Sequence, residues 1–362
     1  MEFYKLDNIL KNNAHYNIII GERSNGKTYA CLKYGLEDYC KNGKQMAIIR
    51  RWQEDFKGKR GQQMFEALVA NEEVKNLSGG KYNDIYYYGG RWYLSTFNSK
   101  GERLLDKKPF AYAFSLSTME HDKSTSFPNI CTIVFDEFLT RGQYMPDEFV
   151  IFMNVLSTII RYRTNVKIFM LGNTVNKYCP YFEEMGLKHI SEMEKGTIDV
   201  YQYGEEGKLK VAVEFADSIS KKGKPSDVYF TFDNPKLNMI TDGIWEVDIY
   251  PHCPIKYKPK DIAYTYFIKF GRDILQCEII QCDDLLFTYI HRKTTELKNT
   301  DDDLIFTTEY SPRYNIRRDL LSPPDKLGRK IKDFFIDDKV FYQSNEIGEI
   351  VRNYILWCKS LA

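Results

Sequence analysis

The segment Gly21-Glu22-Arg23-Ser24-Asn25-Gly26-Lys27-Thr28 constrains this chain more than any other. It fits G-x-x-x-x-G-K-[ST], preceded by the apolar run HYNIII (15–20) and followed by TYACLKYGLEDYC (28–40), a stretch with helical patterning. A buried strand that turns sharply into a helix satisfies all three pieces. The two glycines let main-chain N–H groups curl around an anion, and the helix beginning near Lys27 adds the positive end of its dipole. Lys27 is then expected to reach the β and γ phosphates, and the Thr28 hydroxyl to ligate Mg²⁺. A triphosphate such as ATP is the natural guest of Gly21 to Thr28, against the plainer reading of an ordinary glycine turn.

The rest of the first 200 residues repeats the alternation of strand and helix. QMAIIR (45–50), AYAFSLS (111–117), CTIVFDEF (131–138) and VKIFMLGN (166–173) read as strands, and Pro146 to Arg161 carries apolar residues at helical spacing. This pattern predicts an α/β domain with a mostly parallel sheet flanked by helices. Asp84 to Tyr88 and Arg91 to Ser95 flank Gly89-Gly90 and predict an inserted hairpin. A length of 362 residues favours two compact units. We place the first at 1–204, a polar linker region at 205–227 and a smaller α+β domain at 228–362. That last part contains the strand-like runs DVYFTF, GIWEVDIY, AYTYFIKF, ILQCEII and LLFTYI, and a helix from Asn345 to Leu361.

Two acids end the strand Thr132-Ile133-Val134-Phe135-Asp136-Glu137. A strand buried on both faces tolerates carboxylates only at its C-terminal tip, where the ligand crevice of such sheets opens. Asp136 is the expected Mg²⁺ holder, and Glu137 the group that orients or deprotonates an attacking water. The plainer reading is two solvated acids. Asn173 ends VKIFMLGN, a strand expected beside the loop strand, so its amide could sense water and phosphate, or merely turn the chain. Arg161 and Arg163 follow the preceding helix, where a guanidinium could reach a neighbouring subunit's γ-phosphate or simply complement a helix C-terminus. Lys123 in HDKSTSFP and Arg141 in TRGQYMPDE flank the acid strand, placed to grip DNA phosphates or to be ordinary surface cations.

Composition removes several classes. Lys plus Arg is 51 against 50 Asp plus Glu, so the molecule is no polycation built to coat nucleic acid. The longest apolar run, Phe149 to Ile160, is 12 residues interrupted by Asn154 and Ser157, short of the roughly 20 that span a bilayer. The start, MEFYKLDNIL, lacks secretory-signal features, and a cytoplasmic chain without a membrane partner is expected. Eight scattered cysteines without C-x-x-C pairs are expected to be reduced thiols rather than metal ligands.

From the first strand to about residue 190 the chain resembles the genome-packaging motor ATPases of small tailed bacteriophages, the phi-29 group, short relatives of the large terminase subunit. NIIIGERSNGKTYA, AIIRRW, KSTSFPNICTIVFDEF, IIRYRTNVKIFMLGN and NKYCPYF carry that resemblance. It implies an ASCE-type P-loop ATPase whose homomeric ring, a pentamer by resemblance, drives double-stranded DNA into a preformed capsid. It also implies a capsid portal as partner, a place at the procapsid vertex in the host cytoplasm, and an RNA adaptor as an open question. By resemblance Arg161 ranks above Arg163 as the finger acting in trans, and the second domain is RNase H-like. Gln53 is a departure, since relatives can carry a lysine there. A small-molecule or nucleotide kinase, a nonhydrolytic ATP-binding scaffold, and a nuclease with ATP as a switch are the alternatives.

Overall fold

The computed structural model describes residues 4–121, 126–217, 245, 248–298 and 300–361. They belong to two compact units, one of Met1–Arg141 with Asp147–Glu246, the other of Gly142–Pro146 with Val247–Ala362.

The first unit is a mixed α/β layer structure on a ten-stranded, mostly parallel sheet. Its strands are β1 (Tyr16–Gly21), β2 (Gln45–Arg50), β3 (Asp84–Tyr88), β4 (Arg91–Phe97), β5 (Arg103–Leu105), β6 (Ala111–Ser115), β7 (Ile130–Asp136), β8 (Lys167–Asn173), β9 (Thr197–Tyr203) and β10 (Leu209–Phe215). Their order is β3-β4-β6-β2-β7-β8-β1-β10-β9, with β5 on β4. From β6 to β10 neighbours run parallel, and every residue of β7 is buried, as expected of a strand covered on both faces. On one face the helix Lys27–Asn42 buries Cys31, Leu32 and Leu36 in a cluster with Ile19, Met46, Ile48, Val134 and Phe169. On the other face Phe135 packs against Phe152 of the helix Glu148–Ile160 and against Tyr181. Successive residues 134 and 135 therefore serve opposite layers, the period of two that a strand imposes.

The hairpin predicted around Gly89-Gly90 forms, both glycines taking positive φ (56° and 75°). It extends the sheet through Arg91↔Tyr112 and Trp92↔Ala111 pairs, with Trp92 buried. The domain boundary differs from our sequence placement. The expected linker 205–227 includes β10, which lies parallel to β1 with Tyr16↔Val211 in register and with Val211 to Phe215 buried. Continuous apolar packing beside the loop strand draws this segment into the sheet; residues 218–227 and DVYFTF lie outside the described residues.

The second unit holds a six-stranded sheet of β11 (Ile262–Phe270), β12 (Asp273–Cys282), β13 (Leu285–Arg292), β14 (Ile305–Thr307), β15 (Ile316–Arg317) and β16 (Val340–Tyr342). Its order is β15-β14-β11-β12-β13-β16. β11, β12 and β13 form an antiparallel meander, and β14 and β16 join its two edges in parallel. The helix expected from Asn345 runs to Lys359, capped by the Ser344 hydroxyl accepting from Ile347 N. In the expected strand GIWEVDIY, Asp248 to Tyr250 has no strand pairing. The amides of Asp248 and Tyr250 instead donate to the side chains of Glu349 (3.5 Å) and Asn345 (3.0 Å).

Candidate active site

Four strand tips meet at one end of the large sheet. Parallel pairing sets Gly21 of β1 opposite Asn173 of β8, and Leu171 of β8 opposite Asp136 of β7. The loop between β1 and the next helix turns through Ser24 (φ 60°) and Gly26 (φ 92°). A Cβ on Gly21 would come within 3.2 Å of both Ala216 Cβ and Asn25 Nδ2, so the loop's first residue is fixed by close approach. Glu22 and Asn25 are buried, and Arg23 and Ser24 form the exposed tip.

Lys27 is buried at the centre. Its ammonium donates to Glu22 O (2.6 Å), Asn25 Oδ1 (3.1 Å) and Asn173 Oδ1 (3.3 Å), which ties the loop to β8. Burial pulls its pKa down to about 8, against the opposing pull of Asp136 and Glu22. The Thr28 hydroxyl lies 3.1 Å from Asp136 Oδ1. Among the described residues Asn25 Nδ2 and Arg50 Nε are buried donors with no partner, a shortfall that an anionic ligand in the cleft would make good. The cleft measures about 1150 Å³, ample for a nucleoside triphosphate. A hydroxyl and a carboxylate this close, with phosphate oxygens and waters, are the sparse oxygen set that Mg²⁺ takes, so the residues fit that ion.

Arg50 was not among the residues the sequence singled out. It ends β2, and because β2 pairs with β7 it stands beside the acid pair, with Nη2 2.7 Å from Asp136 Oδ2 and Nη1 2.6 Å from Glu137 Oε2. Its only sequence signal is its place at a strand tip. Arg51 turns the other way. Its guanidinium is 8% exposed and grips the wholly buried Glu148 through two bonds of 2.8 and 2.9 Å. It also donates to the carbonyls of Glu137 (3.3 Å) and Phe138 (2.8 Å), and the Tyr181 hydroxyl completes the cluster on Glu148 at 2.9 Å. Glu137 itself takes φ 59°, a left-handed conformation uncommon for a glutamate, and this buried network supports it.

The structure brings Gly21 to Thr28, Asp136, Glu137 and Asn173 together. Arg161 and Arg163 stay apart from them. Arg163 donates to the carbonyls of Ile130, Phe127, Ile159 and Ile160, at the opposite end of β7 from Asp136, about 20 Å away for a strand of this length. Arg161 is exposed just beyond the helix, at φ 54°. Arg141 lines the same cleft and donates to Val175 O at 3.3 Å, and Lys123 lies outside the described residues. In the second unit Glu349 accepts from the Tyr250 hydroxyl, Glu346 pairs with Arg292, and Asp283 and Asp284 are exposed at the β12–β13 turn. Among the described residues no three acids, histidines or cysteines converge to hold a metal ion.

The family description "Podovirus DNA encapsidation protein (Gp16)" matches residues 1–220. The chain belongs to that family. Among Gp16-like relatives, the DNA packaging protein of Bacillus phage B103 is 28% identical over 263 residues, 63% of this chain and 73% of that protein. The DNA packaging protein of Bacillus phage phi29 is 29% identical over 183 residues, 50% of this chain and 49% of its own length. Among solved structures, the phi-29 viral genome packaging motor assembly has a TM-score of 0.58 at 21% identity, covering 99% of both chains. The phi-28 gp11 DNA packaging motor has a TM-score of 0.54 at 18% identity, covering 99% of this chain and 98% of its own. At these identities the likeness is one of fold.

Proposed function

We propose that this chain is the ATP-hydrolysing motor that drives double-stranded viral DNA into a preformed capsid, working as a homomeric ring at the capsid portal in the host cytoplasm. The observation that carries this reading is the meeting of Lys27, Thr28, Asp136 and Asn173 at adjacent strand tips in a member of the encapsidation family. The strand β8 lies between the loop strand and the acid strand, which supports an ASCE-type P-loop ATPase over a kinase. The meander order β14-β11-β12-β13 supports an RNase H-like second domain, acting as a platform.

In this reading the amides of the Gly21–Thr28 loop and the Lys27 ammonium hold the β and γ phosphates. Thr28 Oγ1 and Asp136 would hold Mg²⁺, which when bound neutralises charge on those phosphates. Glu137 takes the proton of the attacking water, and Arg50, bonded to both acids, fixes where that carboxylate points. Asn173 orients the water. Arg161 acts on the next subunit's nucleotide, since it stands at the far end of its own sheet. Lys123 and Arg141 supply the grip on DNA phosphates, a sequence-independent contact suited to passing any genome.

The test is ATP turnover by the purified chain with and without duplex DNA. Wild type should release inorganic phosphate, faster with DNA, and Lys27→Ala or Glu137→Gln should lower turnover at least 100-fold, on the order of what a catalytic base contributes. Transfer of phosphate to a small acceptor would favour a kinase instead.

A further inference from the structure

We infer that Tyr162 of one subunit docks against Trp52 and Met64 at the mouth of the next subunit's nucleotide cleft. This contact would carry Arg161 towards the acid pair, and the inference rests on the trans role proposed above for Arg161. Tyr162 is 101% exposed, an aromatic ring with no cover from its own chain. The turn that presents it is held firmly. Arg163 anchors one side through four main-chain carbonyls, and Arg161, at φ 54° and ψ −118°, closes the other. A ring held outward on a fixed turn is a preorganised anchor, the kind of residue that dominates interfaces.

The receiving surface lies on the same chain but far from that turn. Beyond Thr28 and the acids, the cleft continues along Trp52, Asp55, Met64 and Ala67. Trp52 is 46% exposed, and its indole and the Met64 thioether offer the aromatic and sulfur contacts that a tyrosine ring favours. Asp55 is half-buried between them in sequence, and among the described residues its carboxylate has no ion pair, so it complements an arriving Arg161. About 20 Å of β7 separates Arg163 from Asp136, so a subunit cannot fill its own cleft this way. A second copy can.

The experiment measures ATP turnover of the full chain against protein concentration. Tyr162→Ala, whose fully exposed ring leaves folding out of question, should raise the half-maximal protein concentration about tenfold and still reach the wild-type maximum. Tyr162→Phe should behave as wild type. Trp52→Ala should cause a similar shift, and the double variant should shift no further than either single one, because the two lose the same contact. Unchanged concentration dependence in Tyr162→Ala, or shifts that add, would overturn the docking. So would an effect of Tyr162→Ala confined to the DNA concentration required, which would make the ring a DNA contact. Arg161→Ala tests the underlying reading separately: it should lower the maximum at every protein concentration, and an undiminished maximum would remove the trans role while leaving the Tyr162–Trp52 coupling to stand on its own.

Discussion

Lys27 illustrates how burial tunes one group for one task. Desolvation disfavours its ammonium, Asp136 and Glu22 oppose that loss, and the balance leaves a pKa near 8 in place of the ordinary 10.5. Between those values the unfolded chain keeps a proton that the folded chain has released, so the free protein gains stability as pH rises through that window. Phosphate reverses the balance by favouring the charged form. We therefore expect binding of a nonhydrolysable ATP analogue to take up about one proton above about pH 8, and affinity to fall by up to about tenfold per pH unit there. Calorimetry in buffers of different ionisation enthalpy measures the uptake, and Lys27→Arg should abolish it because arginine stays charged. At this scale the motif made Lys27 and Thr28 legible. Arg50 was not, because an arginine ending an apolar strand has no meaning until its neighbouring strand is known.

Among the elements, the junction of β2 with the helix Glu148–Ile160 is specified by a buried, hydrogen-bonded ion pair. Arg51 and Glu148 are both buried and hydrogen-bonded to each other, and Arg51 also holds the carbonyls of Glu137 and Phe138. Removing one member strands the other charge away from water. Glu148→Gln should cost about 3 kcal/mol in denaturant unfolding, and Arg51→Met combined with Glu148→Leu should recover most of that loss. Strands with near-continuous apolar runs, such as HYNIII and CTIVFD, were readable because burial on both faces leaves few polar positions, Asn17 and Thr132 being buried exceptions within them. The last three residues of GIWEVDIY misled for the complementary reason: the alternation suits a strand, yet the amides of Asp248 and Tyr250 are satisfied by side chains of the C-terminal helix instead, and residues 243, 244, 246 and 247 lie outside the described residues. β10 was hidden inside the expected linker region, because the polar residues before it mask its membership of the large sheet.

For the whole molecule, the near balance of 51 basic and 50 acidic residues limits how DNA can be held. A local grip on about two to four phosphates predicts that the logarithm of apparent DNA affinity falls with the logarithm of salt at a slope of about −2 to −4. The DNA concentration giving half-maximal stimulation of turnover, measured across a salt series, reads this slope. A slope steeper than about −6 would require a broad basic surface instead. The amino-acid order alone determined the Gly21–Thr28 turn between strand and helix, the acid pair and the parallel character of the sheet, because these depend on spacing and on runs of apolar residues along a single segment. Strand order was decided only in three dimensions. Parallel strands are joined by long crossovers, so beyond the expected neighbourhood of β8 and the loop strand nothing along the chain states that β10 pairs with the loop strand's other edge, or that β2 sets Arg50 against Asp136 and Glu137. Packing of the two helical layers selects that order, and with it the electrostatics of the site.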